Sequence, residues 1–136
     1  ALLAQRDWID AAYSADTVEE IVERLRSSDV PEARTAAEQI LGKSPVALKV
    51  TLRSLRHARE LGSLEEVLNE ELRVSSASLT SHDLVEGIRA QVVDKDRTPH
   101  WSPATLADVT ASDVDAYFQP LGDLELGLAA PKENDR

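Results

Sequence analysis

Apolar residues recur along most of the chain at intervals of three and four, the spacing that places side chains on one face of an α-helix. Seven groups follow this spacing, and in chain order they are Trp8, Ile9, Ala12 and Tyr13; Val18, Ile21, Val22 and Leu25; Ala33, Ala36, Ala37, Ile40 and Leu41; Leu48, Leu52 and Leu55; Leu64, Val67, Leu68, Leu72 and Leu79; Leu84, Val85 and Ile88; and Val114, Tyr117 and Phe118. The stretch AQVVD, residues 90–94, is too short to indicate a strand. The pattern therefore predicts an all-α chain.

Polar residues between these groups mark where the predicted helices begin and end. Starts are predicted at three capping-box pairs, a Ser-Pro pair, a further proline and a late Thr or Ser: Asp16 with Glu19, Ser63 with Glu66, Asp83 with Glu86, Ser44 with Pro45, Pro31, and Thr110 or Ser112. Gly42 and Gly62 are expected to end the helices that precede them.

Composition limits the size, the core and the partners. The 136 residues suit one domain, and with 42% hydrophobic but only 4% aromatic residues the core must be mostly aliphatic. The formal net charge of −10 argues against nucleic acid and anionic membranes as main partners. There is no cysteine for a disulfide, a thiol nucleophile or a thiolate metal site, and no apolar run approaches the roughly 20 residues of a membrane-spanning helix. These features fit a cytoplasmic protein.

The two ends of the chain differ in pattern. The opening residues, ALLAQRDW, already follow the helical spacing, and the chain contains no Met. Removal of a Met from before Ala1 would explain the first residue. A helical pattern that begins at the first residues favours instead a fragment whose upstream part is missing. At the other end AAPKENDR is polar and unpatterned, so we expect a domain of residues 1–121 and a flexible tail of residues 122–136.

No group of residues predicts catalysis or a metal site. The three histidines fall in different predicted elements, and none lies in a nucleophile motif. The sequence contains no glycine-rich phosphate loop and no GxSxG turn. Asp94 and Asp96 flank Lys95, and we interpret them as part of a solvated loop because no third oxygen ligand is evident.

A basic stripe is the most informative local feature. Lys49, Arg53 and Arg56 stand at i, i+4 and i+7, so they would share one helix face, away from the face of Leu48, Leu52 and Leu55. One interpretation is a solvated face that pairs with acids elsewhere in the chain. The other is a binding site for a phosphorylated ligand, since the guanidinium group of Arg and the ammonium group of Lys both bind phosphate oxygens.

A lone tryptophan lies in a segment that is not expected to be helical. Trp101 stands between Pro99 and Pro103, and a residue before proline is restricted to extended conformations. We expect Trp101 to plug this loop against the core.

Several segments carry a family resemblance. HDLVEGIRAQVVDKDRTPHW, residues 82–101, resembles the C-terminal signature of the crotonase (enoyl-CoA hydratase/isomerase) superfamily, in which D-x-x-E-G is followed by K-x-x-x-P-x-[FW]. SPVALK, residues 44–49, is similar to the Ser-Pro that opens an earlier helix in that family. In order, YSADTVEEIVERL, SPVALKVTLRSL, LNEELRVSSASL and VDAYFQPL also look like the 3-hydroxyisobutyryl-CoA hydrolase branch. The resemblance covers about residues 8 to 121.

The resemblance implies a fold and a function. The chain would be the helical C-terminal region of a crotonase fold whose N-terminal ββα core, with its oxyanion hole and catalytic carboxylates, is missing. No catalytic residue carries over, so we expect this chain alone to be inactive, while the complete protein is an enzyme. The implied activity is hydrolysis of a 3-hydroxyisobutyryl-CoA-like thioester in valine catabolism, with this region capping the acyl-CoA site and supporting packing or oligomerisation. The alternatives are an enoyl-CoA hydratase/isomerase and a non-catalytic helical interaction module.

The resemblance also suggests which residues contact the substrate. Lys95 matches a position from which relatives can reach the adenosine-phosphate end of CoA, and Lys49 and Arg53 match residues common in the hydrolase branch. An aromatic residue found nearby in some hydratases is Val92 here, which weakens any stacking role. Arg89 is expected to be a structural ion-pair partner. The implied partners are an acyl-CoA substrate, the missing core and further copies of the complete enzyme, with no cofactor other than CoA within the substrate.

Overall fold

The computed structural model describes residues 2–129 of the chain. These residues form helices, turns and irregular segments, with no β-strand among them, which confirms the all-α prediction. The seven α-helices of this part of the chain are α1 (Arg6–Tyr13), α2 (Val18–Arg26), α3 (Pro31–Leu41), α4 (Pro45–His57), α5 (Leu64–Leu79), α6 (His82–Ile88) and α7 (Ala111–Asp115). None of the described helices has the length and apolar character needed to cross a membrane.

Short helical turns of other pitch extend this set. A π-helical turn, Arg89–Val93, continues α6 directly and contains most of the AQVVD stretch. Single 3₁₀ turns cover Leu2–Gln5, Leu106–Asp108, Ala116–Phe118 and Gly122–Leu124.

Hydrogen bonds at the first turns confirm three predicted helix starts. The Ser44 hydroxyl accepts a first-turn backbone N–H of α4 at 3.2 Å, and the Ser63 hydroxyl accepts the Glu66 N–H of α5 at 3.3 Å. Thr110 begins α7 with a complete capping box, in which the Asp113 carboxylate accepts the Thr110 N–H at 2.7 Å. Each bond satisfies a donor that the helix itself leaves without a partner.

Two predicted capping boxes are wrong. Before α2 the N-cap is Thr17 rather than Asp16: the Thr17 hydroxyl accepts the Glu20 N–H at 3.2 Å, and the Glu20 carboxylate accepts the Asp16 N–H at 3.1 Å. Before α6 the cap is Ser81, and Asp83 lies inside the first turn. Asp83 is 7% exposed, and its carboxylate accepts hydrogen bonds from the Ser44 hydroxyl and the Ser102 N–H, both outside its own helix.

The helix α4 also departs from its prediction. It ends at His57 rather than near Gly62, because the His57 carbonyl accepts the N–H groups of residues 60 and 61 in a closing turn. The buried face of α4 carries Val46 and Val50, each 4% exposed, whereas Leu55 of the expected apolar stripe is 66% exposed.

Two small aliphatic clusters hold the helices together. The first joins α1, α2 and α3 around the fully buried Leu25, and its other buried members are Ala12, Ala15, Ile21, Ala33 and Ala37. The second joins α4 to the segment around α7, and its members are Val46, Val50, Val109 and Val114, with Val74, Tyr117 and Phe118 packed against them. The alanines permit close helix contact but contribute little apolar area, so neither cluster is large.

Much of the apolar surface of α5 and α6 remains exposed. Leu64 and Leu79 at the two ends of α5 are 68% and 71% exposed, and Val85 on α6 is 65% exposed. Val92 and Val93 in the π-helical turn extend the same kind of surface. Exposed apolar patches of this extent are typical of faces that contact another protein surface.

Trp101 plugs its loop against the helices, as predicted. Its indole Nε1 donates to the Gly42 carbonyl at the end of α3 at 3.2 Å. A Cβ atom at Gly87 would lie 3.4 Å from Trp101 Cη2, so the glycine leaves the ring room to lie against α6.

Residues 121–128 lie along α5. The Asn69 amide donates to the Leu128 carbonyl at 2.9 Å and accepts its N–H at 3.0 Å. Arg73 binds the Glu125 carboxylate at 2.8 Å. The tail predicted for residues 122–136 therefore begins with a segment that contacts α5, and residues 130–136 lie outside the described residues.

A buried carboxylate joins three segments. Asp83 accepts hydrogen bonds from the Ser44 hydroxyl and from the Ser102 N–H, the latter at 2.9 Å, and its other neighbour is His82 Nδ1 at 3.0 Å. The start of α4, the start of α6 and the segment around Trp101 are fixed together by this group.

We predict that Asp83→Ala destabilises the fold by roughly 2–4 kcal/mol, because it leaves the Ser102 N–H and the Ser44 hydroxyl without their acceptor, and each unpaired buried group costs about 1–3 kcal/mol. Chemical denaturation measures the change. The control is Asp123→Ala in an exposed turn, which should shift the free energy of unfolding by no more than about 0.5 kcal/mol. Equal losses in the two variants would contradict the role of Asp83.

Candidate functional site

The basic stripe of α4 faces acids of this chain. Lys49 Nζ lies 2.7 Å from the Glu19 carboxylate at the start of α2 and 3.5 Å from the Val109 carbonyl. Arg53 pairs with the Asp115 carboxylate. The guanidinium carbon of Arg53 also lies 4.2 Å from the centre of the Phe118 ring. Both cations therefore have partners on neighbouring elements.

The third cation of the stripe is bound in the same way. Arg56 donates to the Asp16 carbonyl at 3.0 Å, to the Asp16 carboxylate at 3.3 Å and to the Ala15 carbonyl. A shallow cavity of about 210 Å³ lies between the stripe and the start of α2, and Lys95 is not among its lining residues. The structure thus agrees with the interpretation as a face paired with internal acids, and the phosphate interpretation stays a prediction.

A second charged site is centred on Arg89. Its Nε and Nη2 atoms each lie 2.8 Å from an oxygen of the Glu86 carboxylate. Its Nη1 lies 2.7 Å from Asp94 Oδ2 and 2.6 Å from Asp96 Oδ2. Nη2 also reaches the Thr98 carbonyl at 3.3 Å. The expectation that Arg89 is an ion-pair partner is confirmed, and the network is larger than the sequence indicated.

These contacts lower the pKa values of the acids. The hydrogen bonds from Arg89, and then the bond from the His100 N–H, lower the pKa of Glu86 to about 2. The side-chain bond from Arg89 and the backbone N–H of Thr98 likewise lower the pKa of Asp96 to about 2. The three carboxylates in turn raise the pKa of Arg89. Glu86 and Asp96 are thus ionised at neutral pH.

The loop that follows the π-helical turn, residues 94–97, has an unusual backbone. Lys95 and Arg97 both have φ of 57°, in the left-handed region that non-glycine residues seldom adopt. Both side chains are exposed. The family resemblance pointed to Lys95 and not to Arg97, and the sequence feature that marks this loop is the alternation of acids and bases in DKDR.

The histidines lie apart from one another. His57 Nδ1 binds the partly covered Glu70 carboxylate on α5, and His82 contacts Asp83. His100 enters the Arg89 network only through its backbone N–H, which donates to Glu86 at 2.8 Å. Within residues 2–129 no group of three or more His, Asp or Glu side chains is arranged to hold a metal ion.

The arrangement of helices matches solved structures. A carnitinyl-CoA dehydratase from Mycobacterium thermoresistibile is 57% identical with a TM-score of 0.85, over 92% of this chain and 35% of that one. An enoyl-CoA hydratase from Rhodobacter sphaeroides is 34% identical with a TM-score of 0.84, over 93% of this chain and 37% of that one. The fold is that of the helical C-terminal region of a crotonase-like protein.

The chain belongs to the enoyl-CoA hydratase/isomerase family, whose model matches residues 1–118. The mitochondrial 3-hydroxyisobutyryl-CoA hydrolase of Rattus norvegicus is 44% identical over 120 residues, which are 88% of this chain and 31% of the relative. The chain spans about a third of the length of the proteins it matches. The family resemblance carried by residues 82–101 and the other quoted segments is thereby confirmed.

We predict that the Arg89 network makes the free energy of unfolding decrease as the pH falls into the acid range. Glu86 and Asp96 have folded pKa values near 2, below the ordinary 4.5 and 3.8, so the unfolded chain takes up these protons first. Their contribution is complete above about pH 5 and is lost as the pH falls toward 2. Denaturation across this window measures the free energy of unfolding of Glu86→Gln and of the unmodified protein. The difference between the two should be largest at neutral pH and should become small in acid.

The matched control is Glu71→Gln, which changes an exposed carboxylate on α5 outside the network. Its free energy of unfolding should differ from that of the unmodified protein by the same amount at every pH. A Glu86→Gln difference that is the same at every pH would contradict the assignment.

Proposed function

We propose that this chain is the helical C-terminal part of an acyl-CoA-processing enzyme, a thioester hydrolase of the 3-hydroxyisobutyryl-CoA hydrolase type. The observation that carries the proposal is the 44% identity over 120 residues to the rat hydrolase. The similarity includes the segment that holds Arg89 and Lys95, which resembled that branch on sequence alone. The pathway implied by such an activity is valine catabolism.

A second candidate function is hydration or dehydration of an acyl-CoA. It is favoured by the 57% identity to the structure described as a carnitinyl-CoA dehydratase and by the similarity to an enoyl-CoA hydratase. Both reactions place negative charge on the thioester oxygen, so both need an oxyanion hole. That hole belongs to the core that precedes this region in the family, so the present chain does not decide between the two.

In the complete enzyme, this region would pack against a partner surface and close the acyl-CoA site. Its exposed apolar residues on α5, α6 and the π-helical turn need a partner surface, which the preceding core or another copy of the enzyme supplies. The region would cap the acyl-CoA site without contributing a reacting group, and alone it would be inactive. A free-standing helical interaction module is the third possibility.

The proposed contacts to CoA are those named from the sequence. Lys95 would bind the phosphate-bearing end of the substrate, with Lys49 and Arg53 as further contacts, and CoA enters only as part of the substrate. Cytoplasm stays our prediction for the location, while the rat relative carries "mitochondrial" in its name.

We predict that the complete enzyme releases free CoA thiol from 3-hydroxyisobutyryl-CoA and does not remove the double bond of an enoyl-CoA. A thiol reagent follows the first reaction, and the loss of enoyl absorbance without thiol release follows the second. Hydration without thiol release would replace the first candidate by the second. Calorimetry that shows no CoA binding by the complete protein would favour the interaction module.

A second prediction tests Lys49 and Arg53. In the complete enzyme, Lys49→Glu or Arg53→Glu should raise KM for acyl-CoA roughly three- to tenfold and spare kcat, as expected when a ground-state charge contact is removed. The matched variants are the exchanges Lys49→Glu with Glu19→Lys and Arg53→Glu with Asp115→Arg, which restore the internal ion pairs. KM should stay raised in these exchanges. A KM that returns to normal would reduce both cations to structural ion-pair partners.

A further inference from the structure

Helix α5 binds the backbone of residues 121–128, a segment that we call the strap. The side-chain amide of Asn69 donates to the Leu128 carbonyl at 2.9 Å and accepts the Leu128 N–H at 3.0 Å. One amide thus binds both backbone groups of a single residue, as the opposite residue of an antiparallel strand would. Contacts of this kind hold a peptide by its backbone and do not depend on the side chain of the bound residue.

A second contact on the same face of α5 selects for charge. Arg73 stands four residues after Asn69, about one helical turn further on, and binds the Glu125 carboxylate at 2.8 Å. It is the only basic residue of α5. Arg73 and then the Leu121 N–H lower the pKa of Glu125, so this carboxylate is ionised at neutral pH. The two contacts together fit a segment with an acid three positions before the residue that Asn69 binds.

The bound conformation of the strap requires a glycine between the two contacts. Gly127 has φ of 64°, in the left-handed region that favours glycine. An alanine at this position would oppose the bound conformation without removing the Asn69 or the Arg73 contact.

The strap is attached by few groups. Leu124, Leu126 and Leu128 are all exposed, so the strap buries little apolar surface against α5. Its polar contacts lie at the surface, where each contributes little net stability. The 3₁₀ turn Ala116–Phe118, shortly before the strap, packs against α5 and keeps the strap close to its site at a high effective concentration. A segment held in this way can open locally while the rest of the fold stays intact.

We infer that the face of α5 that carries Asn69 and Arg73 is a docking site for an extended acidic peptide segment, and that the strap is its resident and releasable occupant. Asn69 recognises the backbone of this segment, and Arg73 recognises a carboxylate three residues earlier. While the strap is bound, both groups are occupied, so release of the strap opens the site. The inference concerns a surface that the proposed enzymatic activity does not use.

The first test measures binding of a peptide of residues 121–129 to the complete protein, both intact and truncated after Pro120. An occupant held by an effective concentration in the millimolar range should bind as a free peptide with Kd of about 1 mM or lower. Peptide-observed NMR should show this binding for the truncated protein and at least about tenfold weaker binding for the intact protein, whose site is occupied. Absence of saturable binding to the folded truncated protein, or equal binding to both forms, would overturn the inference.

Substitutions in the truncated protein and in the peptide identify the contacts. Asn69→Ala and Arg73→Gln should each weaken binding about three- to tenfold, while the control Glu71→Gln, at an exposed position of α5, should alter it less than about twofold. A peptide with Glu125→Gln should bind the truncated protein more weakly but lose nothing further against Arg73→Gln, because both changes remove the same contact. A peptide with Gly127→Ala should also bind more weakly. Fully additive losses for Arg73→Gln and Glu125→Gln would contradict recognition of the carboxylate by Arg73.

The second test follows hydrogen exchange in the intact protein and does not depend on the truncated form. The Leu128 N–H should exchange more slowly than in the free peptide, and Asn69→Ala should remove this protection. Because the opening is local, the exchange rate at Leu128 should not change with low concentrations of denaturant, whereas that of the buried Val50 should rise. An equal dependence on denaturant at Leu128 and Val50 would show that the strap leaves α5 only when the protein unfolds, and would refute its release.

Discussion

The arrangement of the second half of the chain depends on the buried carboxylate of Asp83. A carboxylate with 7% exposure is tolerated only when donors surround it, and its donors come from the start of α4 and from the segment beside Trp101. Ser44 serves twice, because the hydroxyl that donates to Asp83 also accepts a backbone N–H of α4. Through this carboxylate, the helix that carries the basic stripe and the helix that leads to Arg89 take fixed positions relative to each other. The two charged sites are therefore parts of one arrangement.

The cations of this acidic chain are distributed unequally among its carboxylates. The cations of α4 are matched one by one with acids at the start of α2 and in α7. Arg89, in contrast, binds three carboxylates within its own segment, while Lys95 and Arg97 are exposed and make no ion pair within the described part of the chain. The net charge of −10 argues against polyanions as main partners.

Features that depend on nearby residues could be predicted from the sequence, whereas contacts between distant segments could not. Helix type, most helix starts and the family followed from apolar spacing, capping residues and the segment at 82–101, because these depend on neighbours a few residues away. The capping box at Asp83 failed because a carboxylate that close to a helix start can bind its own turn or a distant donor, and only the fold brings Ser102 within reach. The Leu stripe of α4 failed for a related reason, since Val46 and Val50 meet α7 while Leu55 faces away from both clusters. The left-handed backbone at Lys95 and Arg97 has no signal in residue type at all.

The apolar residues of this region are buried unequally. Apart from Leu25 and Ile21, the buried members of its internal clusters are alanines and valines, while leucines at both ends of α5 stay exposed. A region that packed for itself alone would bury Leu before Ala, because burial of the larger side chain stabilises more. Leu25 follows this order, whereas Leu64 and Leu79 do not. Under the proposed function, this exposed apolar surface is the part of the region that packs against a neighbouring protein surface.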